Sequence, residues 1–526
     1  MKRHSFKSGL LSLMALCSMA LTIGSCANDD VAQNPQMPND DKNLTTFAAG
    51  TPTTRTSMES DGKFFWEAGD KIYVKDDNGA WHASSNSPTG KTDNFKFKVP
   101  GTYTAHTSYE VYYPGQGGSN DQAVIAASQS QAEPNTTTHF GAAGDCGMAT
   151  ATKVSGKQQF AFTLDHKAAY LLFLPRTSNT ILNKCYLTKV EVNSDNDITS
   201  TYTLDPTTGE LTGTGTGKQI VLTTKGSGTY ANGFPLTNNS TSAATNGSYV
   251  VIKPGTHTLK IRYWVKDIAT NVEGTITKIL SSATYDQNKY YNITANLDVK
   301  DYDGDHYYMW DAQEQYWKGY EWNKGGSQPT LNWGRSNVYA KSNTDSRYYN
   351  ESYLGSGISN PATHSCANLP NINELTWYAA KGNPCVDSDE LWTTMGHLYK
   401  TGLWIKKKSK IISDEHITAA YMENGFKNAH GTYVNWKNTF AGDADVPADI
   451  APKFTAVPNK NDYFYLPATG FYENGRLYAT GDGGNYWSAD AVPTRNTYSY
   501  GFRFYKEYVN VQIMPRTVGR KAQSFE

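Results

Sequence analysis

Residues 260–265 read Lys260-Ile261-Arg262-Tyr263-Trp264-Val265. Polar and apolar residues alternate through the first half, and aromatic and β-branched residues fill the rest. That is the pattern of a half-buried strand. The same texture runs outward from Leu44 to about Leu297. Further strand candidates are Phe64-Phe65-Trp66, Lys71-Ile72-Tyr73-Val74, Tyr109-Glu110-Val111-Tyr112, Phe160-Ala161-Phe162-Thr163-Leu164, Lys189-Val190-Glu191-Val192 and Tyr249-Val250-Val251-Ile252. Gly, Asn, Asp and Pro turns separate them. Many short strands with such punctuation predict β-sandwiches, and the length suits two, joined near residues 175–185.

After Val299 the texture changes. Nine of the twelve tryptophans lie in 301–526, and helix signals begin. Asn371 with Glu374 three residues on predicts a capped helix over Ile372–Ala380. Asp387 with Glu390 repeats the spacing before Leu391–Lys400, which Gly402 would close. A third short helix is expected from Ser413 to Asn424. Strands and glycine turns then return, so residues 300–526 read as a separate α+β domain.

The N-terminus carries Lys2, Arg3, His4 and Lys7, then an apolar run from Leu10 to Ile23, then Gly24-Ser25-Cys26. This is a secretory signal, too short for a comfortable membrane span. The small residues before Cys26 resemble a bacterial lipobox, which implies acylation of Cys26 as the new N-terminus. An ordinary signal peptide with an incidental cysteine is the alternative. Residues 27–42 are polar and acidic and read as a tether. Acidic residues after a lipidated cysteine also resemble a surface-export signal. The expected organisation is signal 1–25, tether 26–42, sandwiches 43–180 and 181–299, and an α+β domain 300–526.

Net charge is −1, and charged residues are 18% of the chain, so composition gives no electrostatic case for nucleic-acid or acidic partners. Cys146, Cys185, Cys366 and Cys385 remain after Cys26. An exported chain can oxidise them into two bridges, by proximity Cys146–Cys185 and Cys366–Cys385, although four cysteines allow three connectivities. No Cys/His spacing suggests zinc. Gly213-Thr214-Gly215-Thr216-Gly217-Lys218 lacks the first glycine and the closing Ser/Thr of a phosphate loop, and neither HExxH nor GxSxG occurs. Asp301, Asp303 and Asp305 around Gly304 read as a turn rather than a calcium loop. No catalytic residue, metal or cofactor is expected, and the chain is read as a non-enzyme.

Several pieces together resemble the fimbrillin-like (Mfa-like, type V pilin) lipoproteins of Bacteroidota. They are Thr54-Arg55-Thr56, Trp66-Glu67-Ala68-Gly69-Asp70-Lys71-Ile72-Tyr73-Val74, Tyr112-Tyr113-Pro114, residues 160–173 and Tyr291-Asn292-Ile293-Thr294-Ala295-Asn296-Leu297. Residues 301–526 resemble the lectin-like domain that often follows, through Met309-Trp310-Asp311-Ala312-Gln313, Cys366-Ala367-Asn368-Leu369-Pro370, Gly402-Leu403-Trp404-Ile405, Tyr465-Leu466-Pro467-Ala468-Thr469-Gly470 and Tyr486-Trp487-Ser488. The resemblance implies a mainly β chain: two transthyretin-like β-sandwich domains followed by an α+β C-type-lectin-like domain.

It also implies a mechanism. Such subunits are exported as outer-membrane lipoproteins and cut after an arginine. Loss of the first strand opens a groove into which another subunit inserts a strand. Arg55 is the candidate cut, with simple exposure beside the first strand as the alternative. The strand released would be Leu44-Thr45-Thr46-Phe47-Ala48-Ala49, with Leu44, Thr46 and Ala48 on one face. A large C-terminal domain suits a tip or accessory subunit of a cell-surface fimbrium that adheres to a glycan or protein receptor. The alternative is a non-polymerising surface glycan-binding lipoprotein. Trp310 and Trp487 stand in the motifs but read as core. Lys406-Lys407-Lys408-Ser409-Lys410 reads as a solvated edge before an anion site. His166 is expected to be packed rather than a ligand.

Overall fold

The computed structural model describes residues 43–50, 57–58, 64–428, 430–440 and 450–526. The signal segment, Cys26, the 27–42 tether and Arg55 lie outside the described residues. The chain divides into Met1–Asn43 and Leu44–Glu526, and the second unit carries everything below. It is mainly β, as the alternation predicts.

The first sheet has eight strands. Three matter most: β1 (Leu44–Ala49), β2 (Phe95–Pro100) and β3 (Gln159–Phe162). Alternate residues turn inward, and Phe47, Trp66, Ile72, Val74, Phe97 and Phe160 are fully buried. Trp66 meets Phe97 and Tyr113 edge-on at 4.9 and 5.5 Å. The turn before the next strand needs Gly69 at φ +88°. Beside it the buried Asp70 carboxylate accepts from the Glu67 N–H (2.7 Å) and the Tyr113 hydroxyl (2.9 Å).

The next region is organised around Ala169–Arg176, a run buried on both faces. It pairs antiparallel with Ser248–Ile252 and parallel with Tyr290–Asn296. Strands Gln122–Ile125 and Ser128–Gln131 precede residue 180, yet pair with Ser200–Asp205 and Gln219–Thr224 beyond it. Leu391 and Leu398 of the C-terminal region join the same core. His166 is fully buried, its Nδ1 2.9 Å from the Asp145 carboxylate, which also accepts the Tyr170 hydroxyl at 2.5 Å.

Two side-chain amides complete the edge of Ser248–Ile252. Gln129 donates to the Val251 carbonyl (2.8 Å) and accepts its N–H (3.0 Å). Gln131 donates to the Gly247 carbonyl (2.9 Å) and accepts the Tyr249 N–H (2.8 Å). Each amide reproduces the two bonds that a neighbouring strand would make, so buried backbone groups stay satisfied.

In the C-terminal region the helix α1 (Ile372–Lys381) forms with the predicted capping box between Asn371 and Glu374. The Ile372 N–H also donates to the buried Asp490 carboxylate at 2.9 Å. The helix expected over Leu391–Lys400 is a correction: residues 385–406 form the hairpin β4 (Cys385–Thr394) and β5 (His397–Lys406). Asp387 Oδ1 accepts the N–H groups of Asp389 and Glu390, which makes a local turn inside β4 rather than a helix cap. Thr393 and Thr394 favour strand, and Met395 and Gly396, both at positive φ, supply the two-residue hairpin turn. The third expected helix divides into α2 (Lys408–Glu415) and α3 (Ala419–Asn424), broken at His416 with φ +54°. β5 pairs onward with β6 (Tyr463–Pro467). A second hairpin, β7 (Thr469–Glu473) and β8 (Arg476–Thr480), follows.

The expected disulfides are also corrected. Cys146, Cys185, Cys366 and Cys385 are all buried and all free. Nearness in sequence did not bring the sulfurs together. Cys385 stands opposite Trp404 in the β4–β5 ladder. Cys366 belongs to a small core with Trp310 and Trp487, where its Sγ accepts the Asp311 N–H at 3.3 Å.

Two outcomes test this account. Gln129→Leu strands the Val251 N–H and C=O and should cost about 2–4 kcal/mol in denaturant unfolding. Burial raises the Asp490 carboxyl from 3.8 to about 6. The folded state therefore holds this proton more tightly, and stability falls as pH rises through that window. Asp490→Asn cannot titrate, so its Tm relative to the parent should rise between pH 4 and 6 and level off above.

Candidate functional site

β1 is held on both sides by backbone bonds. It runs antiparallel to β2, with Leu44 opposite Pro100 and Ala49 opposite Phe95, and parallel to β3, with Thr46 opposite Gln159. Its alternation is as expected, but the face that turns inward is Phe47 and Ala49. Leu44, Thr46 and Ala48 are only half-buried. Phe47 stacks on Phe160 (5.2 Å) and meets Tyr103 edge-on (5.2 Å). One aromatic side chain is thus the main apolar anchor of a six-residue strand. Without β1, two strand edges lose their pairing and the Phe160 and Tyr103 rings lose their cover.

The outer face of β4, β5 and β6 carries a second feature. Cys385, Trp404 and Tyr465 face one another across the three strands, with Asp387, Gly402 and Pro467 in the next row. The Trp404 Nε1–H donates to Asp387 Oδ2 at 3.2 Å. The Tyr465 ring lies over Gly402, where a Cβ would come within 2.2 Å of it. The Tyr465 hydroxyl is buried with no hydrogen-bond partner. Burial pushes the Glu390 carboxyl up, and Lys460, 3.8 Å away, opposes that shift. Trp404 lines two pockets. One, of about 290 Å³, includes Tyr302, Glu390 and Tyr465; the other, of about 360 Å³, includes Asp387, Asp389 and Phe454. Carboxylates, hydroxyls and aromatic rings so placed can accept from and stack on a hydroxyl-rich ligand.

No protein-family model matches the chain, and no curated protein matches it. Solved structures do align. A candidate cell adhesion protein of Bacteroides ovatus is 14% identical at TM-score 0.30, over 48% of this chain and 92% of that one. One from Bacteroides fragilis is 10% identical at TM-score 0.30, over 49% and 93%. A fimbrial protein of Bacteroides ovatus is 10% identical at TM-score 0.25, over 91% and 98%. Likeness this low leaves function to be read from the geometry of this chain.

Cys26 and Arg55 lie outside the described residues, so only the strand between them is placed. Trp310 and Trp487 are buried, 1% and 0% exposed. The 406–410 lysines are closed on themselves: Lys406 and Lys410 pair with Asp414, Lys407 with Glu526, and Lys408 with Glu374 and Glu423. Asp303 is engaged by the Asp305 N–H and by His306. Among the described residues, no group of three or more His, Cys, Asp or Glu is placed to hold a metal ion. Sequence reading quoted Trp404 only within a motif; its pairing with Asp387 and Tyr465 needed the strand register. Gly402→Ala should displace the Tyr465 ring and cost about 1–3 kcal/mol, read by thermal unfolding.

Proposed function

We propose that this chain is a cell-surface fimbrial subunit, at the tip or in an accessory position. It is exported as a lipoprotein acylated at Cys26, assembles by strand exchange, and adheres through residues 300–526. It acts by binding rather than by catalysis. Its partners are other fimbrial subunits and a glycan or protein receptor.

The observation that carries this reading is the seat of β1. A short N-terminal strand sits between two others, parallel to one of them, with Phe47 as its large anchor. Backbone bonds make such a seat tolerant of sequence, and the pocket under Phe47 asks any replacement for one large apolar residue in register. A cut at Arg55 would separate β1 from the rest of the chain. A strand from another subunit would then restore the pairing of β2 and β3 and cover Phe160 and Tyr103.

Mass spectrometry of the N-terminus in native surface fractions tests this. The expected result is a chain beginning at Thr56 in high-mass fibres, with Arg55→Ala left uncut and monomeric. A chain beginning at acylated Cys26 and found only as a monomer would sink strand exchange and leave a tethered binding protein.

A further inference from the structure

Trp333 is the exposed tryptophan among the described residues, at 69%; the others are buried or half-buried. It occupies the third position of a turn closed by the Gly334 N–H donating to the Leu331 carbonyl at 3.0 Å. Its φ is +71°. That position and sign belong to glycine or asparagine, and a bulky residue there is a backbone outlier. Such strain persists only where the surroundings impose it, and it is found disproportionately at functional positions.

The surroundings here do impose it. The Trp333 N–H donates to the Leu477 carbonyl (2.8 Å), and the Leu477 N–H donates to the Gly334 carbonyl (3.0 Å). The Asn332 amide clasps the Thr480 backbone at both ends, at 2.8 and 2.9 Å. The loop is thereby stitched along the edge of β8. The indole meets Tyr478 edge-on at 5.2 Å, and Tyr478 stacks on Phe471 at 5.4 Å. Three rings therefore form a row that ends in a fixed, solvent-facing indole.

A second, independent observation lies beside this row. Arg335 stands directly opposite Arg476 in a β-bridge. Like charges so placed repel, yet among the described residues neither arginine has an ion-pair partner. Glu473 is opposite Arg476 on the far side, in the β7–β8 ladder, without pairing to it. This contrasts with the 406–410 lysines, where every ammonium is matched by a carboxylate. Arg476 and Tyr478 are two residues apart on β8, so they share a face about 7 Å apart.

We infer that this face binds an acidic pyranose, with Trp333 as the stacking platform and Arg335 and Arg476 as the anion clamp. The apolar C–H face of the sugar lies on the indole. Its carboxylate or sulfate accepts from the two guanidinium groups, which bind planar oxyanions through paired N–H bonds. The indole loses little on binding because it is held in place beforehand, and the two guanidinium groups have no ion pair to give up. The inference rests on the reading that residues 300–526 adhere, and it names the ligand class.

The test is calorimetric titration of the full chain with three hexasaccharides: chondroitin, chondroitin 4-sulfate and neutral cellohexaose. The acidic probes should bind at least tenfold more tightly than the neutral one. Binding of both identifies the carboxylate as sufficient; binding of the sulfated probe alone identifies sulfate. Trp333→Gly should cost at least tenfold in affinity with Tm unchanged or higher, because glycine accepts φ +71°. Arg335→Gln with Arg476→Gln should remove both the preference for acid and its salt dependence. Parent-like binding by Trp333→Gly, or equal binding of neutral and acidic probes, overturns the inference. A parent that adheres to cells but ignores the acidic probes overturns the inference and leaves adhesion standing. A parent that does neither overturns both.

Discussion

Backbone pairing of Leu44–Ala49 with β2 on one side and β3 on the other joins β2 to the rest of the first sheet, and much else depends on that join. Phe47 completes an aromatic core with Phe160 and Tyr103. Just after β3 in the chain come His166 and Tyr170, both gathered by the buried Asp145 carboxylate. This ties the first sheet to Ala169–Arg176, the strand around which the next region forms. A strand held chiefly by main-chain bonds is specified by register more than by side-chain identity.

The same requirement, that a buried strand edge be paired, is met in other ways elsewhere. Gln129 and Gln131 stand in for a missing strand beside Ser248–Ile252. Loop 331–336 covers the edge of β8 with main-chain bonds, and the outcome is a left-handed Trp333 and two facing arginines. Closing that edge and presenting that indole are one structural event.

Much of the fold was legible. The alternation around Lys260–Val265 and its relatives announced strands. β1 was read at its observed bounds, and the Asn371/Glu374 capping box located α1. Local signals misled where tertiary pairing outweighed them. Asp387 and Glu390 have cap spacing, but Asp387 spends its oxygen on a bulge between paired strands. The cysteines were matched by nearness along the chain, yet all four are free: Cys146 and Cys185 sit in one core, Cys366 in a small core with Trp310 and Trp487, and Cys385 opposite Trp404 in the β4–β5 ladder.

Sequence by itself determined the strand-rich class, the helix-bearing C-terminal region and the weak case for nucleic-acid partners, because periodicity, capping and charge are local properties. The tertiary structure alone decided which face of β1 turns inward and which tryptophans are core. It also decided that Lys406–Lys410 are neutralised while Arg335 and Arg476 are not. Those outcomes depend on strand register and on which distant residues meet, and neither is written in the spacing of neighbours along the chain.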